Sequence, residues 1–96
     1  MLARVATWEG GSPEGIRAAT AEMRANMAQG PPPGVTSTGF TMLADAEGGR
    51  ILMIGMFENE DDLRRSEAAL GAMNPPDGMG RRTAVDIYEV GAEMRV

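Results

Sequence analysis

The stretch RILMIGMFENEDDL, from Arg50 to Leu63, decides the fold of this chain. Its first part, Ile51–Phe57, has no charged, hydroxyl or amide side chain and predicts a strand. Successive side chains of a strand point to opposite faces, so this strand is apolar on both faces. One face carries Ile51, Met53, Gly55 and Phe57, and the other carries Leu52, Ile54 and Met56. A chain of only 96 residues must therefore cover both faces.

The segments before this strand predict a strand, a helix and a further strand. Leu2–Trp8 combines Val, Thr and Trp with small residues, which is typical of a strand. Ser12 is placed to cap a helix that has Pro13 at its first position and runs to about Gln29. A second strand is predicted over Val35–Leu43, because the segment is rich in Thr, aromatic and aliphatic residues.

Glycines refine the prediction for this part of the chain. Gly39, inside the second predicted strand, indicates a bulge or a close backbone approach. Gly48 and Gly49 in ADAEGGR predict a hairpin turn, since both can adopt positive φ without steric cost. The second and third strands are therefore expected to pair as neighbours.

The segment after the strand predicts a helix and a final strand. Asn59 is placed to cap the helix, which is expected to end near Asn74-Pro75-Pro76. Its apolar side is predicted at Leu63, at Ala69 or Leu70, and at Met73. A glycine-rich loop then leads to a fourth strand over Thr83–Val90. The order β-α-β-β-α-β predicts one α+β domain over residues 1–96, ferredoxin-like, with a four-stranded antiparallel sheet and two helices on one face.

The composition excludes several function classes. The net charge is −5 and all nine basic residues are Arg, so the chain repels phosphate backbones and no nucleic-acid partner is expected. No apolar run is long enough to span a membrane, and MLARVATWEG does not have the pattern of a signal peptide. The absence of Cys is compatible with a reducing compartment, and a cytoplasmic location is expected.

The chain also lacks the usual catalytic and metal-binding side chains. It has no His and no Cys, so the common general base and the common soft metal ligands are missing. A carboxylate run lies at the start of the second predicted helix and comprises Glu58, Glu60, Asp61 and Asp62. Acidic residues are expected there from the helix dipole alone, and their spacing matches no EF-hand loop. We therefore expect no metal site and no cofactor.

The predicted architecture leaves one face of the sheet without cover. Both helices lie on the other face, yet the strand Ile51–Phe57 is apolar on both sides. A large exposed apolar patch is rare on a monomer, so a second copy packed sheet to sheet is expected, as a homodimer that closes a barrel. The alternative is a central strand whose second face is half-covered by long Arg and Glu side chains from its neighbours.

Three segments together resemble the dimeric α+β barrel superfamily, and within it the small domains similar to antibiotic-biosynthesis monooxygenases. They are ARVATWEGGSPEGI, GRILMIGMFENEDDLRRSE and VDIYEV, and the resemblance extends over almost the whole chain. It implies the ferredoxin-like fold, the homodimer, and a small-molecule pocket between sheet and helices. Members of this superfamily perform several chemistries, so the resemblance is specific for the fold rather than for a function.

The resemblance also directs attention to particular positions. Phe57 lies where some relatives have a pocket tryptophan, and Thr7 lies near the position of an asparagine in haem-degrading relatives. Neither is the residue of the relatives. The second predicted helix, DDLRRSEAALGAM, lacks the histidine that holds haem iron in those relatives, so haem degradation is not expected.

Pocket residues are predicted from these positions and from side-chain parity. Met53 and Phe57 share a strand face, and Met23 and Met27 share a helix stripe. The predicted pocket residues are Thr7, Met23, Met27, Met53, Phe57, Leu63 and Tyr88. A Met-lined pocket would suit a flat apolar ligand, and the alternative is that these side chains simply fill a small core.

The expected function is binding of a small apolar or aromatic molecule between sheet and helices. The alternative is a cofactor-independent monooxygenase or isomerase acting on an aromatic or polyketide-like substrate, for which Arg4, Trp8, Arg82 and Tyr88 are the available polar groups. Trp8 and Tyr88 also fit a structural role at a sheet edge or dimer seam. A third hypothesis is a dimer that serves only as a structural scaffold.

Overall fold

A computed structural model describes residues 1–72 and 77–96. It confirms the predicted α+β order of four strands and two helices. The elements are β1 (Leu2–Gly10), α1 (Pro13–Met27), β2 (Gly39–Asp45), β3 (Arg50–Phe57), α2 (Glu60–Ala72) and β4 (Gly80–Glu89). Predicted features at Met73 and at Asn74-Pro75-Pro76 lie outside the described residues.

The four strands form one antiparallel sheet in the order β2-β3-β1-β4. Helix α1 connects β1 to β2 past the intervening β3, and α2 connects β3 to β4 past β1. Crossovers of the same hand place both helices on one face of the sheet. The fold is therefore the ferredoxin-like split βαβ arrangement. None of the described helices is long and apolar enough to cross a membrane.

Both predicted helix caps are confirmed. The Ser12 hydroxyl oxygen accepts a hydrogen bond from the Gly15 amide at 3.0 Å. The Asn59 side-chain oxygen accepts one from the Asp62 amide at 2.8 Å. Each bond satisfies a backbone donor that has no partner within the helix, so local sequence determines where both helices begin.

The prediction for the start of β2 was wrong. Val35 does not begin a strand, because its amide donates to the Pro32 carbonyl in a turn. The next amide, that of Thr36, donates to the hydroxyl of Ser66 on α2 at 2.9 Å. Ladder pairing of β2 begins only at Gly39. The β-propensity of the Val–Thr segment is overridden by these contacts with the proline turn and with α2.

The glycine predictions also need correction. The β2–β3 ladder runs without a register shift from Gly39, and nothing lies within 4 Å of a Cβ built on that residue. Gly39 therefore marks neither a bulge nor a close approach. In the hairpin turn only Gly49 has positive φ, at 70°. Gly48 instead donates its amide to the Asp45 carboxylate at 2.9 Å.

A register shift occurs in the pairing of β1 with β4. Thr7 pairs with Ala84 whereas Trp8 pairs with Arg82, so Thr83 is an extra residue in a β-bulge. The bulge lies inside β4 because the strand begins at Gly80 rather than at the predicted Thr83. As a consequence Arg82 lies on the same sheet face as Trp8, the face covered by the helices.

The core between sheet and helices consists of two separate clusters. The first is formed by Ile16, Ala19, Ile51 and Met79, with Trp8, Met42, Ala46 and Met53 packed against it. The second is formed by Val35, Phe57 and Leu63, with Leu2, Phe40, Ala69 and Leu70 packed against it. Each cluster contains one end of β3, so the middle of the helix-side face lies between them.

On the opposite face of the sheet the side chains of β3 are apolar, as predicted, and Thr7, Thr41 and Asp86 of the other strands lie around this apolar centre. Leu52, Ile54 and Met56 are partly exposed there, and Val5 of the neighbouring β1 is partly exposed beside them. Toward the two edges of the sheet, Leu43 and Tyr88 are exposed. No helix or strand within residues 1–72 and 77–96 packs over this face.

Candidate binding cavity

An open cavity of about 960 Å³ lies on the helix-side face of the sheet. It lies between the two helices, because Met23 and Met27 of α1 and Leu70 and Gly71 of α2 all line it. The residues that line it come from β1, α1, the loop of residues 28–38 that joins α1 to β2 (the proline loop), the start of β2, β3, the end of α2 and the start of β4. They are Arg4, Ala6, Trp8, Met23, Asn26, Met27, Gln29, Gly30, Pro31, Pro32, Pro33, Ser37, Thr38, Gly39, Phe40, Met53, Gly55, Leu70, Gly71, Met79 and Arg82.

The cavity extends down to the backbone of the sheet because two residues at its centre are small. Ala6 of β1 is 3% exposed, and Gly55 of β3 lies beside Arg4 in the ladder. A Cβ built on Gly55 would lie 2.9 Å from a ring carbon of Phe40. The missing side chain at Gly55 thus lets the Phe40 ring lie over the strand, where it forms one wall of the cavity.

The other walls are mainly apolar. Met23 and Met27 project from α1, and Met53 rises from the sheet. Met79, only 1% exposed, joins them from the loop before β4. Methionine side chains are flexible and polarizable, so these walls can adapt to ligands of different shapes.

A glycine contact fixes the loop that carries Met79. Gly78 has a φ of +94°, and a Cβ built on it would lie 2.7 Å from the Gly15 Cα atom of α1. Any other residue would be strained by this φ and would also collide with the helix. The glycine-rich loop before β4 thus has a structural role beside the cavity.

Two arginines supply the positive charge of the cavity lining. Arg4 lies on the floor, and its Nε donates to the Glu67 carboxylate at 3.0 Å. The Arg4 side chain is 9% exposed and that of Glu67 is 43% exposed. Arg82, opposite Trp8, is exposed at the rim. No Asp or Glu is among the described residues that line the cavity, although the chain contains 14.

The structure brings together some of the predicted pocket residues and separates the others. Met23, Met27 and Met53 line the cavity. Phe57 and Leu63 pack instead in the second core cluster with Val35, because the proline loop folds down over that end of β3.

Thr7 and Tyr88 belong to the opposite sheet face. Thr7 alternates with Ala6 and Trp8, and Tyr88 pairs with Ala3. Because successive side chains of a strand point to opposite faces, neither side chain lies in the cavity. Of the four polar groups named for the catalytic alternative, Arg4, Trp8 and Arg82 line the cavity and Tyr88 does not.

Several lining residues were not among the predicted pocket residues, although Arg4, Trp8 and Arg82 were named as polar groups for the catalytic alternative. Arg4 had a usable signal, because it shares strand parity with Leu2, Ala6 and Trp8 and so places a charge on the core-facing side. Phe40 and the proline loop were missed because that segment was assigned to a strand. Arg82 could not be placed by simple alternation, because the bulge at Thr83 changes its face.

Two carboxylates of the acidic run form ion pairs within α2. The Glu60 carboxylate accepts a hydrogen bond from Arg64 at 2.8 Å, and that of Asp62 accepts one from Arg65 at 2.6 Å. Both pairs lie within the first two turns of α2. Among residues 1–72 and 77–96, no three acidic side chains are grouped in a way that could hold a metal ion.

Comparisons with protein-family models, with curated proteins and with solved structures gave no match to this chain.

Proposed function

We propose that this protein binds a small apolar or aromatic molecule in the cavity between its sheet and its helices. The observation that carries the proposal is the open cavity of about 960 Å³, whose size is typical of small-molecule sites. Its walls combine aromatic and Met side chains with few polar groups, as ligand pockets commonly do. The resemblance to small dimeric α+β barrel domains implies a pocket at this place, but it is specific for the fold rather than for a function.

Thermal unfolding with a panel of flat aromatic compounds tests the proposal. A ligand that binds only the folded state at 100 times its Kd adds about 2.7 kcal/mol of stability. For a domain of this size, each kcal/mol raises the Tm by about 4–8 °C. We expect at least one compound to raise the Tm in this way, and a panel without any shift would contradict the proposal.

A cavity-filling variant identifies the site. Ala6→Leu adds three carbons to the floor of the cavity and should abolish the ligand-induced shift. Ala25→Leu makes the same change on the exposed side of α1, outside the lining, and should keep it. A ligand-induced shift that persists in Ala6→Leu would place the binding site elsewhere.

The proposal includes a homodimer that packs through the opposite sheet face. The partly exposed Val5, Leu52, Ile54 and Met56 form a contiguous apolar centre on this face, which a second copy would remove from water. A two-fold arrangement pairs the same patch on both subunits. Sedimentation equilibrium at micromolar concentration should give the dimer mass, and a monomer mass would contradict this part of the proposal.

The expected cytoplasmic location also stays a prediction.

A cofactor-independent oxygenase or isomerase is the second candidate function. It is favoured by the Arg4 guanidinium on the floor of a mainly apolar cavity, since a fixed cation there would stabilise an oxyanion that develops on a bound aromatic substrate. Binding without turnover of any compound in the panel, under air, would favour the first candidate.

A further inference from the structure

We infer that the ligand of the cavity is an organic anion, an apolar and preferably aromatic body that carries one carboxylate, and that Arg4 binds the carboxylate. The inference rests on the proposed binding function and deepens it, because it assigns the chemical class of the ligand and the residue that recognises it.

The first argument is the placement of charge. A chain with 14 acidic and nine basic residues has no Asp or Glu among the described residues that line the cavity, but it has two Arg there. The charged side chains of the lining are therefore positive, although the Glu67 carboxylate beside Arg4 offsets part of this charge. An apolar pocket of this kind favours an anionic ligand over a neutral or cationic one.

The second argument is the unused hydrogen-bonding capacity of Arg4. Its Nε donates to Glu67 at 3.0 Å, and no other hydrogen bond joins its guanidinium to residues 1–72 or 77–96. In this part of the chain no fully buried side-chain nitrogen or oxygen lacks a partner. The two terminal nitrogens of Arg4 therefore have no hydrogen-bond partner within these residues, and Arg4 is one of the residues that line the cavity.

The third argument is geometry. The two terminal nitrogens of a guanidinium match the two oxygens of a carboxylate in a planar, bidentate pair. Glu67 holds the guanidinium from the α2 side, so Arg4 is oriented before a ligand arrives and loses little freedom on binding. Ala6, Met53 and Phe40 then contact the apolar body, while Arg82 adds positive charge at the rim.

Calorimetric titration with a matched pair of probes tests the inference. 2-Naphthoate and 2-naphthamide share one ring system and differ in the anionic group. Wild-type protein should bind the naphthoate about tenfold more tightly or better, which corresponds to ~1.4 kcal/mol. Equal affinity for both probes would overturn the anion inference and leave the proposed function intact. No binding of either probe would overturn both.

Two variants assign the effect to Arg4. Arg4→Met should lower the affinity for naphthoate to that for naphthamide and leave the affinity for naphthamide unchanged. Glu67→Gln keeps a hydrogen-bond acceptor but removes the competing charge, so it should raise the affinity for naphthoate several-fold. A merely structural Arg4–Glu67 pair would not produce these opposite effects, and a loss of naphthoate affinity in Glu67→Gln would overturn the assignment.

Controls keep the test decisive if a variant is unstable. Arg64→Met removes an exposed arginine of α2 that lies outside the cavity lining, and it should retain the preference for naphthoate. Glu67 is partly exposed, so the carboxylate left behind in Arg4→Met can be hydrated. If Arg4→Met does not fold, the change in naphthoate affinity of Glu67→Gln tests the role of Arg4 by itself: a rise supports it and a loss contradicts it.

Discussion

The two phenylalanines of the chain should have separable effects, one on stability and one on binding. Phe57 is 0% exposed and packs in the second core cluster between Val35 and Leu63. Phe40 lies against the same cluster, but its other side forms a wall of the cavity. Replacement of Phe57 by Ala therefore leaves a void in a filled core, whereas replacement of Phe40 enlarges a space that is already open.

The magnitudes follow from these positions. Truncation of a fully buried Phe to Ala costs about 3–5 kcal/mol, because the transfer free energy is lost and the void does not collapse completely. The total stability of a domain of this size is about 5–15 kcal/mol, so Phe57→Ala should remove a large part of it. Phe40→Ala should cost about 1–2 kcal/mol, in the middle of the range for single substitutions.

Equilibrium unfolding in urea at a fixed protomer concentration measures both values, with far-UV circular dichroism as the signal. Trp8, the single tryptophan, lines the cavity and gives a second, local signal. Phe57→Leu is a milder variant for the case in which Phe57→Ala does not fold. The reasoning is refuted if Phe57→Ala costs less than Phe40→Ala, or if it changes ligand affinity more than stability, since Phe57 would then be a cavity wall.

Two further predictions concern the opposite sheet face and haem. Ile54→Glu would place an unpaired carboxylate in the proposed sheet-to-sheet seam at a cost of several kcal/mol, so sedimentation equilibrium should show monomers. Ala21→Glu, which adds the same charge to the exposed side of α1, should stay dimeric, and a dimer of wild-type affinity in Ile54→Glu would contradict the seam. Titration with haemin should give no sharp Soret shift, because the chain has no His to hold the iron, and a stoichiometric complex that turns over with a reductant would reverse this expectation.

The fold could be predicted from the sequence to the extent that local chemistry determines it. Ser12 and Asn59 fix the starts of the helices through their own side chains, and the apolar run of β3 identifies one of the two central strands. The start of β2 could not be predicted, because Thr36 is held by Ser66, which lies 30 positions away in the chain. Contacts of that range are decided by the tertiary structure and not by propensity.

The candidate site was less accessible to sequence reasoning than the fold. Periodicity correctly placed Met23, Met27 and Met53 toward the space between sheet and helices, but it could not show that this space stays open. The opening depends on the separation of two helices and on the small residues Ala6 and Gly55 beneath them. Side-chain parity alone cannot distinguish a filled core from a cavity, and so Phe57 was grouped with residues that line a different region.

The bulge at Thr83 has a consequence for how β4 can change length during evolution. It divides the strand into two segments whose alternation is independent, with Arg82 on the helix-side face and Tyr88 on the other face. Deletion of Thr83 would remove the bulge and leave both side chains on their present faces. Deletion of another residue between Arg82 and Tyr88, with the bulge kept, would turn the side chains of one segment to the opposite face of the sheet. Relatives of this chain that differ in length along β4 are therefore expected to differ at this position.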